Sequence, residues 1–158
     1  IDLLELKGTE RVLDLFCGLG NFTLAVATRC ASVVGVEISK TMVERVLHNA
    51  RHNSLDNVSA VAFDLTQPIA EQPFTRESWD TLIVDPPRSG AKEVLEALPL
   101  KNIARVLYVS CNLATLARDA RILIDRGFWM THLGIIDMFP QTAHVESMAL
   151  FVKRAASG

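Results

Sequence analysis

The chain has 158 residues, of which 49% are hydrophobic and 22% charged, and its formal net charge is −2. These values fit one globular domain with a sizeable core, and they give no overall electrostatic reason to bind nucleic acid. Any RNA affinity should therefore be local or lie outside these residues. No apolar stretch reaches the roughly 18 residues that a membrane span needs, and the first residues lack a signal-peptide pattern.

The three cysteines are irregularly spaced. This pattern argues against a disulfide framework and against a zinc or iron–sulfur site within these residues. We expect no metal and a reducing, cytoplasmic setting, with Cys17 and Cys30 as small buried hydrophobes. Because the chain begins without Met and soon reaches a buried strand, we also expect it to be part of a longer protein.

Short apolar runs alternate with helical patterns along most of the chain, which predicts a parallel sheet of strand–helix–strand units. The predicted strands are residues 11–16, 33–36, 58–63, 81–84 and 105–109. The predicted helices are residues 21–29, 40–53, 92–98 and 115–126. Residues 66–78, which contain two prolines, are expected to form a long irregular segment.

The pattern changes after Gly127. Residues 128–138 and 146–153 form two further strand patterns, joined by a segment too short for a helix, so they should pair antiparallel. The expected fold is α/β and Rossmann-like, with a mostly parallel seven-stranded sheet, an antiparallel C-terminal strand and helices on both faces. This ending is typical of class I methyltransferases that depend on S-adenosylmethionine, rather than of dinucleotide-binding sheets.

A glycine-rich segment that includes Gly18 and Gly20 follows the first predicted strand. Glycines let the backbone turn sharply and approach a ligand, and the next helix presents free N–H groups, so we expect Gly18 to contact a cofactor. Glu37 and Asp64 end the next two strands, where they can accept hydrogen bonds from ribose hydroxyls and an adenine amine. The alternative for either acid alone is a solvated strand end.

Two residues of this segment disfavour a nicotinamide cofactor. Thr23 stands where a dinucleotide loop normally has its third glycine. Asp14, at the start of the segment, suits a cationic sulfonium better than a pyrophosphate, which it would repel. The sequence therefore favours S-adenosylmethionine over NAD.

Asp85 ends the fourth predicted strand and begins the segment DPPRSG. Its two prolines predict a rigid ledge at the carboxyl edge of the sheet, where open α/β folds bind substrates. Amino-methylating enzymes usually carry an aromatic residue where this ledge has Arg88, which disfavours transfer to an exocyclic amine. The alternative is that Asp85 caps the following helix.

Cys111 follows the fifth predicted strand and should face the same cleft as Asp85. The N-terminus of the next helix and the nearby Arg118 could stabilise a thiolate there. Carbon 5 of uracil is too weak a nucleophile to attack a sulfonium methyl group, but addition of a thiolate to carbon 6 produces an enolate that can do so. The sequence therefore points to methyl transfer to a pyrimidine carbon.

Release of such a product requires a base that removes the proton from carbon 5. Glu146 is the candidate, and His144 is the alternative because imidazole titrates near neutrality. Phe139 is a candidate stacking platform for the base, with a core position as its alternative. The uridine must be flipped out or presented in a loop for Cys111 to reach carbon 6.

Four segments resemble the catalytic domain of RNA uracil-5-methyltransferases. They are DLFCGLGNFT at 14–23, DPPRSG at 85–90, SCNLATLARD at 110–119 and DMFPQTAHVE at 137–146. The resemblance covers nearly the whole chain and is greatest to the bacterial enzymes that make 5-methyluridine in 23S ribosomal RNA.

The resemblance implies S-adenosylmethionine as the cofactor and RNA as the partner. It implies that Cys111 is the nucleophile and Glu146 the proton-removing base. It also implies that the cofactor site is lined by Phe16, Asn21, Glu37, Asp64 and Asp85, of which Asp85 also lies near the target uracil.

This chain departs from the family pattern in two ways. Leu113 stands where the family usually has proline, which should loosen the loop without removing the nucleophile. Family members normally carry an upstream β-barrel RNA-binding domain, and some carry a four-cysteine iron–sulfur cluster, neither of which lies within these residues. Residues 1–158 are therefore expected to be the catalytic domain of a longer enzyme.

Other functions remain as alternatives. The substrate could be transfer RNA, or the chain could be a catalytically silent cofactor-fold module that acts as a protein-binding scaffold. A cytosine-5-methyltransferase would use the same covalent chemistry, but its characteristic Pro-Cys or Thr-Cys setting is not found. The glycine-rich loop and the antiparallel ending disfavour an NAD-dependent oxidoreductase.

Overall fold

A computed structural model describes residues 1–136 and 146–154. The strands in these residues are β1 (Arg11–Leu15), β2 (Ser32–Glu37), β3 (Val58–Ala62), β4 (Thr81–Val84), β5 (Arg105–Ser110), β6 (Phe128–Ile136) and β7 (Glu146–Lys153). The α-helices are α1 (Asn21–Ala27), α2 (Lys40–His52), α3 (Pro73–Arg76), α4 (Lys92–Ala97) and α5 (Leu113–Asp125). In this part of the chain, no helix has the length and apolar character required to span a bilayer.

The strands form a sheet in the order β3-β2-β1-β4-β5-β7-β6. Strands β1 to β5 pair in parallel, whereas β7 runs antiparallel to both β5 and β6. The sequence-based expectation of a mostly parallel seven-stranded sheet with an antiparallel C-terminal strand is confirmed.

Apolar side chains pack on both faces of the sheet. On one face, Leu13 belongs to a core that includes Val94 of α4 and Leu116 of α5. On the other face, Val12 belongs to a core that includes Val26 of α1. Strand β4, in the middle of the sheet, is buried along its whole length, which explains why parallel strands of this kind appear in the sequence as continuous apolar runs.

The structure differs from the sequence-based elements at several boundaries. Helix α3 lies within residues 66–78, which were expected to be irregular, and it begins with a proline as its first helical residue. Strand β1 ends one residue early because Phe16 has a positive φ of 62°. Helix α5 begins two residues early because the Asn112 side chain accepts a hydrogen bond from the Ala114 N–H. The last two residues of the expected strand 128–138 lie outside the described residues.

A buried carboxyl group joins β1 to α1. Asp14 has no exposed surface, and the Thr23 hydroxyl donates a 2.5 Å hydrogen bond to its Oδ2. Burial raises the pKa of Asp14 to about 7, with the hydrogen bond from Thr23 opposing the rise and the charge of Asp85 adding to it. This placement corrects the expectation that Asp14 faces a cationic ligand, since the residue bonds within the core to the threonine at the third glycine position.

We predict that Asp14→Asn weakens the pH dependence of stability. The folded state holds the Asp14 proton up to about pH 7, whereas an unfolded aspartate loses it near pH ~4. The contribution of Asp14 to the free energy of unfolding should therefore fall as the pH rises between these values and stay constant above them. Thermal unfolding between about pH 4 and pH 8 measures the slope. Asparagine should remove the Asp14 contribution because it has no proton to lose, and the contribution of Asp85, whose pKa is raised to about 6, should remain.

Asp56→Asn is the matched control, because Asp56 is exposed. The control should retain the pH dependence of the wild type. An unchanged slope in Asp14→Asn would contradict the prediction.

Candidate active site

The loops after β1, β2, β3 and β4 surround a cavity of about 360 Å³. The order of the strands reverses between β1 and β4, and open α/β sheets bind ligands outside the carboxyl ends of the strands at such a point. The lining residues are Phe16, Glu37, Ile38, Phe63, Asp64, Leu65, Thr66, Asp85, Pro86 and Pro87. Four of the residues expected from the sequence to bind a cofactor, Phe16, Glu37, Asp64 and Asp85, therefore line the same cavity.

Glu37 fixes the glycine-rich loop against the end of β2. Its Oε2 accepts a hydrogen bond from the Gly18 N–H at 3.1 Å, and its Oε1 accepts one from the Ser39 N–H at 3.0 Å. Each carboxylate oxygen can accept a further hydrogen bond. Glu37 can therefore hold this loop and bind a ligand at the same time.

Phe16 enters the cavity wall through a strained backbone. Its φ of 62° lies in the left-handed region, which costs a residue other than glycine about 1–3 kcal/mol and is concentrated at functional sites. The N–H of the next residue, Cys17, donates to the Val36 carbonyl at 3.0 Å. The loop is thus held to β2 by a backbone hydrogen bond and a side-chain hydrogen bond at the two residues that follow the strained one.

Asp64 lies in a turn after β3. Its Oδ1 accepts hydrogen bonds from the Thr66 N–H at 2.9 Å and from the Thr66 hydroxyl at 2.7 Å. These hydrogen bonds, chiefly the one from the hydroxyl, lower the pKa of Asp64. The carboxylate is therefore held in its charged form at the cavity wall.

Apolar residues that the sequence analysis did not name complete the wall. Ile38 directly follows Glu37, and Phe63 and Leu65 flank Asp64. The Phe63 ring packs edge-on against Phe74, with 6.0 Å between the ring centroids. The signal in the sequence was their position next to an acidic strand end, since apolar walls with few polar groups are typical of small-molecule sites.

The structure places Gly18 and Asn21 differently from the other expected residues. Neither lines the cavity beside Asp85. Gly18 acts through its hydrogen bond to Glu37, while Asn21 is the exposed first residue of α1 and lines a separate hollow with Leu24 and Thr28. Contacts of Gly18 and Asn21 with a cofactor stay predictions.

Asp85 extends the pairing of β1 and β4 into the site. Its N–H donates to the Leu15 carbonyl at 3.3 Å, and its side chain and the two following prolines line the cavity. Burial raises the pKa of Asp85 to about 6, and the charge of Glu146 adds to the rise. Helix α4 begins after Ala91 and has no side-chain cap, so Asp85 does not have the capping role that was its alternative.

Cys111 and Glu146 occupy adjacent ends of two antiparallel strands. Cys111 directly follows β5 and is exposed, while Glu146 is the first residue of β7. Ser110 lies opposite Ser147 in this pair, and the Ser147 hydroxyl donates to the Ser110 carbonyl at 3.0 Å. The pairing therefore brings the expected nucleophile and the expected base to the same edge of the sheet as Asp85.

The surroundings of Cys111 differ from the expectation in one respect. Arg118, which was expected to supply nearby positive charge, forms an ion pair with the buried carboxylate of Asp119 and donates to the Ser89 carbonyl at 2.9 Å. The Asn112 side chain caps α5 directly after Cys111. A 13-residue helix thus begins two residues after the thiol.

The remaining cysteines fit their expected structural role. Cys17 and Cys30 are each 8% exposed, and burial raises their pKa values to about 12 and about 11. Both thiols are therefore poor nucleophiles near neutral pH. His144 and Phe139 lie outside the described residues, so their roles stay predictions.

A family model described as tRNA (uracil-5-)-methyltransferase matches residues 2–154. The 23S rRNA (uracil(1939)-C(5))-methyltransferase RlmD of Xanthomonas euvesicatoria is 54% identical over 155 residues, which is 98% of this chain and 35% of that protein. The enzyme of the same name from Alcanivorax borkumensis is 50% identical over 153 residues, which is 97% of this chain and 34% of that protein. The chain thus spans about a third of the length of these curated relatives.

Solved structures show the same fold. The tRNA (uracil-54, C5)-methyltransferase of Pyrococcus abyssi, in complex with S-adenosyl-L-homocysteine, matches with a TM-score of 0.80 and 30% identity, covering 96% of this chain and 36% of that chain. The magnesium protoporphyrin IX methyltransferase of Synechocystis PCC 6803 matches with a TM-score of 0.73 and 19% identity, covering 97% of this chain and 74% of that chain. The expected methyltransferase fold is confirmed. Because the family model covers nearly all of its residues, the chain belongs to the tRNA (uracil-5-)-methyltransferase family.

Proposed function

We propose that this chain is the catalytic domain of a longer enzyme that transfers the methyl group of S-adenosylmethionine to carbon 5 of a uridine in RNA. The observation that carries the proposal is the meeting of an exposed thiol, Cys111, with the carboxyl groups of Glu146 and Asp85 at one edge of the sheet. A thiol and a base are the groups that covalent activation and release of a pyrimidine require.

The residues that line the cavity beside Asp85 fit S-adenosylmethionine. Glu37 and Asp64 present carboxylates from adjacent strand ends, which suit ribose hydroxyls and an adenine amine, and Phe16 and Phe63 provide an apolar wall for a planar base. The volume of about 360 Å³ lies within the usual range for small-molecule sites. When bound, S-adenosylmethionine supplies an electrophilic methyl group. The S-adenosyl-L-homocysteine in the Pyrococcus abyssi relative supports this assignment.

Cys111 is proposed to activate the uracil ring. Its thiolate sulfur forms a bond to carbon 6, and the electron pair of the C5=C6 double bond moves into the ring to give an enolate. Carbon 5 then has the electron density to accept a methyl group.

Glu146 is proposed to resolve the covalent adduct. Its carboxylate removes the proton from methylated carbon 5, the released electron pair restores the C5=C6 double bond, and the bond between carbon 6 and sulfur breaks to free the Cys111 thiolate. Asp85 lies where the cofactor cavity meets this carboxylate. We therefore assign Asp85 to the border between the cofactor and the uracil.

We propose 23S ribosomal RNA as the substrate. The curated relatives with that name are 50–54% identical to this chain, whereas the transfer RNA-methylating enzyme of known structure is 30% identical. A formal charge of −2 provides little phosphate binding, so the rest of the longer enzyme would supply most of the RNA affinity. A free, exposed thiol is typical of a reducing compartment, which favours the cytoplasm. Transfer RNA is the alternative substrate.

We predict that Glu37→Gln weakens the binding of S-adenosylmethionine. Glutamine has one acceptor oxygen instead of two, so it cannot hold both the Gly18 and Ser39 N–H groups and also accept from a ribose. Loss of a hydrogen bond to a charged group costs about 1.5–3 kcal/mol, or about a 10- to 150-fold rise in Kd. Isothermal titration of the intact enzyme measures the change.

Glu44→Gln is the matched control for the cofactor site. Glu44 is an exposed residue of α2 and does not line the cavity, so its Kd should equal that of the wild type. Equal affinities of the Glu37→Gln variant and the wild type would remove Glu37 from the cofactor site.

We predict that Glu146→Gln traps a protein–RNA adduct. Without a base the C5 proton stays in place and the sulfur cannot leave, so turnover should fall by about 10²–10⁴-fold. A denaturing gel of the intact enzyme, incubated with S-adenosylmethionine and a 23S rRNA fragment, should show a covalent band. Adding Cys111→Ala should abolish that band.

Cys30→Ala provides the matched control in the Glu146→Gln background. Because the Cys30 thiol is buried, its loss should leave the adduct intact. If no band forms while S-adenosylmethionine still binds, the covalent mechanism and both residue roles are wrong. If the wild type transfers no methyl group to any RNA, the scaffold alternative is favoured.

A further inference from the structure

Asp119 is a buried carboxylate that the proposed mechanism does not use. It lies on α5 with no exposed side-chain surface. Its Oδ2 accepts hydrogen bonds from the Tyr108 hydroxyl at 2.5 Å and from the Ala91 N–H at 2.6 Å. Its Oδ1 accepts from the Arg118 guanidinium, with Nε at 2.8 Å. Asp119 therefore joins three different parts of the chain.

These donors connect the two loops that carry the proposed chemistry. Ala91 directly follows the segment 85–90, whose first residue lines the cofactor cavity. Arg118 also donates to the Ser89 carbonyl at 2.9 Å, and the Asn112 side chain donates to the Arg88 carbonyl at 3.2 Å. Since Asn112 is the neighbour of Cys111, the loop after β4 is tied at several points to the loop and helix that follow β5.

The close approach of the two loops depends on Gly90. Its φ is +83°, and its N–H closes a turn by donating to the Pro87 carbonyl at 2.9 Å. A Cβ atom at this position would overlap the Arg118 guanidinium and lie 2.6 Å from Asp119 Oδ2. A side chain at residue 90 would therefore have to push the loop away from Asp119.

A carboxylate at this position is not what stability alone would favour. Burial of a charged group carries a large desolvation penalty, and well-packed apolar residues often stabilise a fold as well or better. Burial raises the pKa of Tyr108, and the hydrogen bond to Asp119 raises it further, so the phenol remains a donor. Both oxygens of Asp119 thus accept hydrogen bonds, as expected of a buried polar group that fixes the geometry of its partners.

We propose that Asp119 is a positioning residue that holds the Asp85 loop and the Cys111 loop in a fixed relation, so that methyl donor and nucleophile reach adjacent carbons of one uracil ring. This inference rests on the proposed function. Asp119 acts through Ala91, Arg118 and Tyr108 and does not touch the substrate. A displacement of about 1 Å between reacting groups can cost about 100-fold in rate.

The test uses the intact enzyme with Asp119→Ala, Asp119→Asn and Trp79→Phe. Trp79→Phe is the matched control, because it removes one buried hydrogen bond, from Trp79 Nε1 to the Phe74 carbonyl at 2.7 Å. Trp79 lies just before β4, at the edge of the sheet opposite the site. For each variant, single-turnover methyl transfer is measured at saturating S-adenosylmethionine and RNA, together with the cofactor Kd and the melting temperature.

Asp119→Ala should slow methyl transfer by about 100-fold, while the cofactor Kd changes by less than about 3-fold because Glu37 and Asp64 lie on other strands. Asp119→Asn should recover most of the rate, since its amide oxygen can still accept from Ala91 and Tyr108. Trp79→Phe should lower the melting temperature without slowing transfer.

Gly90→Ala supplies a second route to the same displacement if Asp119→Ala fails to fold. It leaves Asp119 in place and should slow transfer with the cofactor Kd again nearly unchanged. The proposal is overturned if Asp119→Ala, or Gly90→Ala in its place, transfers at the wild-type rate, or if Trp79→Phe slows transfer as much. Failure of the proposed function is distinct, because the wild type itself would then transfer no methyl group to uridine.

Discussion

The parallel pairing of β1 with β4 is the constraint on which the rest of the site depends. Leu15 lies opposite Val84 at the end of this ladder, and the N–H of Asp85 continues the pairing to the Leu15 carbonyl. From β1 the chain leads to β2 and β3 on one side, whereas β4 leads to β5 on the other. The loops after β1 and β4 therefore separate and leave a crevice between them.

The reversed direction of β7 gives the site its second chemical group. The first residue of a parallel strand lies at the edge of the sheet away from the carboxyl ends of its neighbours. If β7 were parallel to β5, Glu146 would therefore lie far from Cys111. Because β7 runs antiparallel to β5, its beginning meets the end of β5, with Ser147 opposite Ser110. Strand direction thus brings together a thiol and a carboxylate that are distant in the sequence.

Two buried carboxyl groups hold the loops of this edge, and they do so by different means. Asp14 has one strong donor, Thr23, and a pKa raised by burial to about 7. Asp119 has donors from two other segments of the chain, at Ala91 and Tyr108, and from its neighbour Arg118. Burial with few donors raises the pKa of a carboxyl group, and donors from several segments fix the geometry of a buried polar network. Asp14 therefore makes the stability of this edge depend on pH, whereas Asp119 joins its loops.

The sequence by itself determined the order and type of most elements, because apolar runs and helical periodicity are local signals. It also marked Glu37 and Cys111, which lie within two residues of the ends of apolar runs. It did not reveal α3, which is too short to show a helical period. It also did not reveal that Asp14 bonds within the core, because its donor, Thr23, lies nine residues further along the chain. Only the tertiary structure decided the contacts of Asp119 with Ala91 and Tyr108, because these donors come from segments that meet only after the chain has folded.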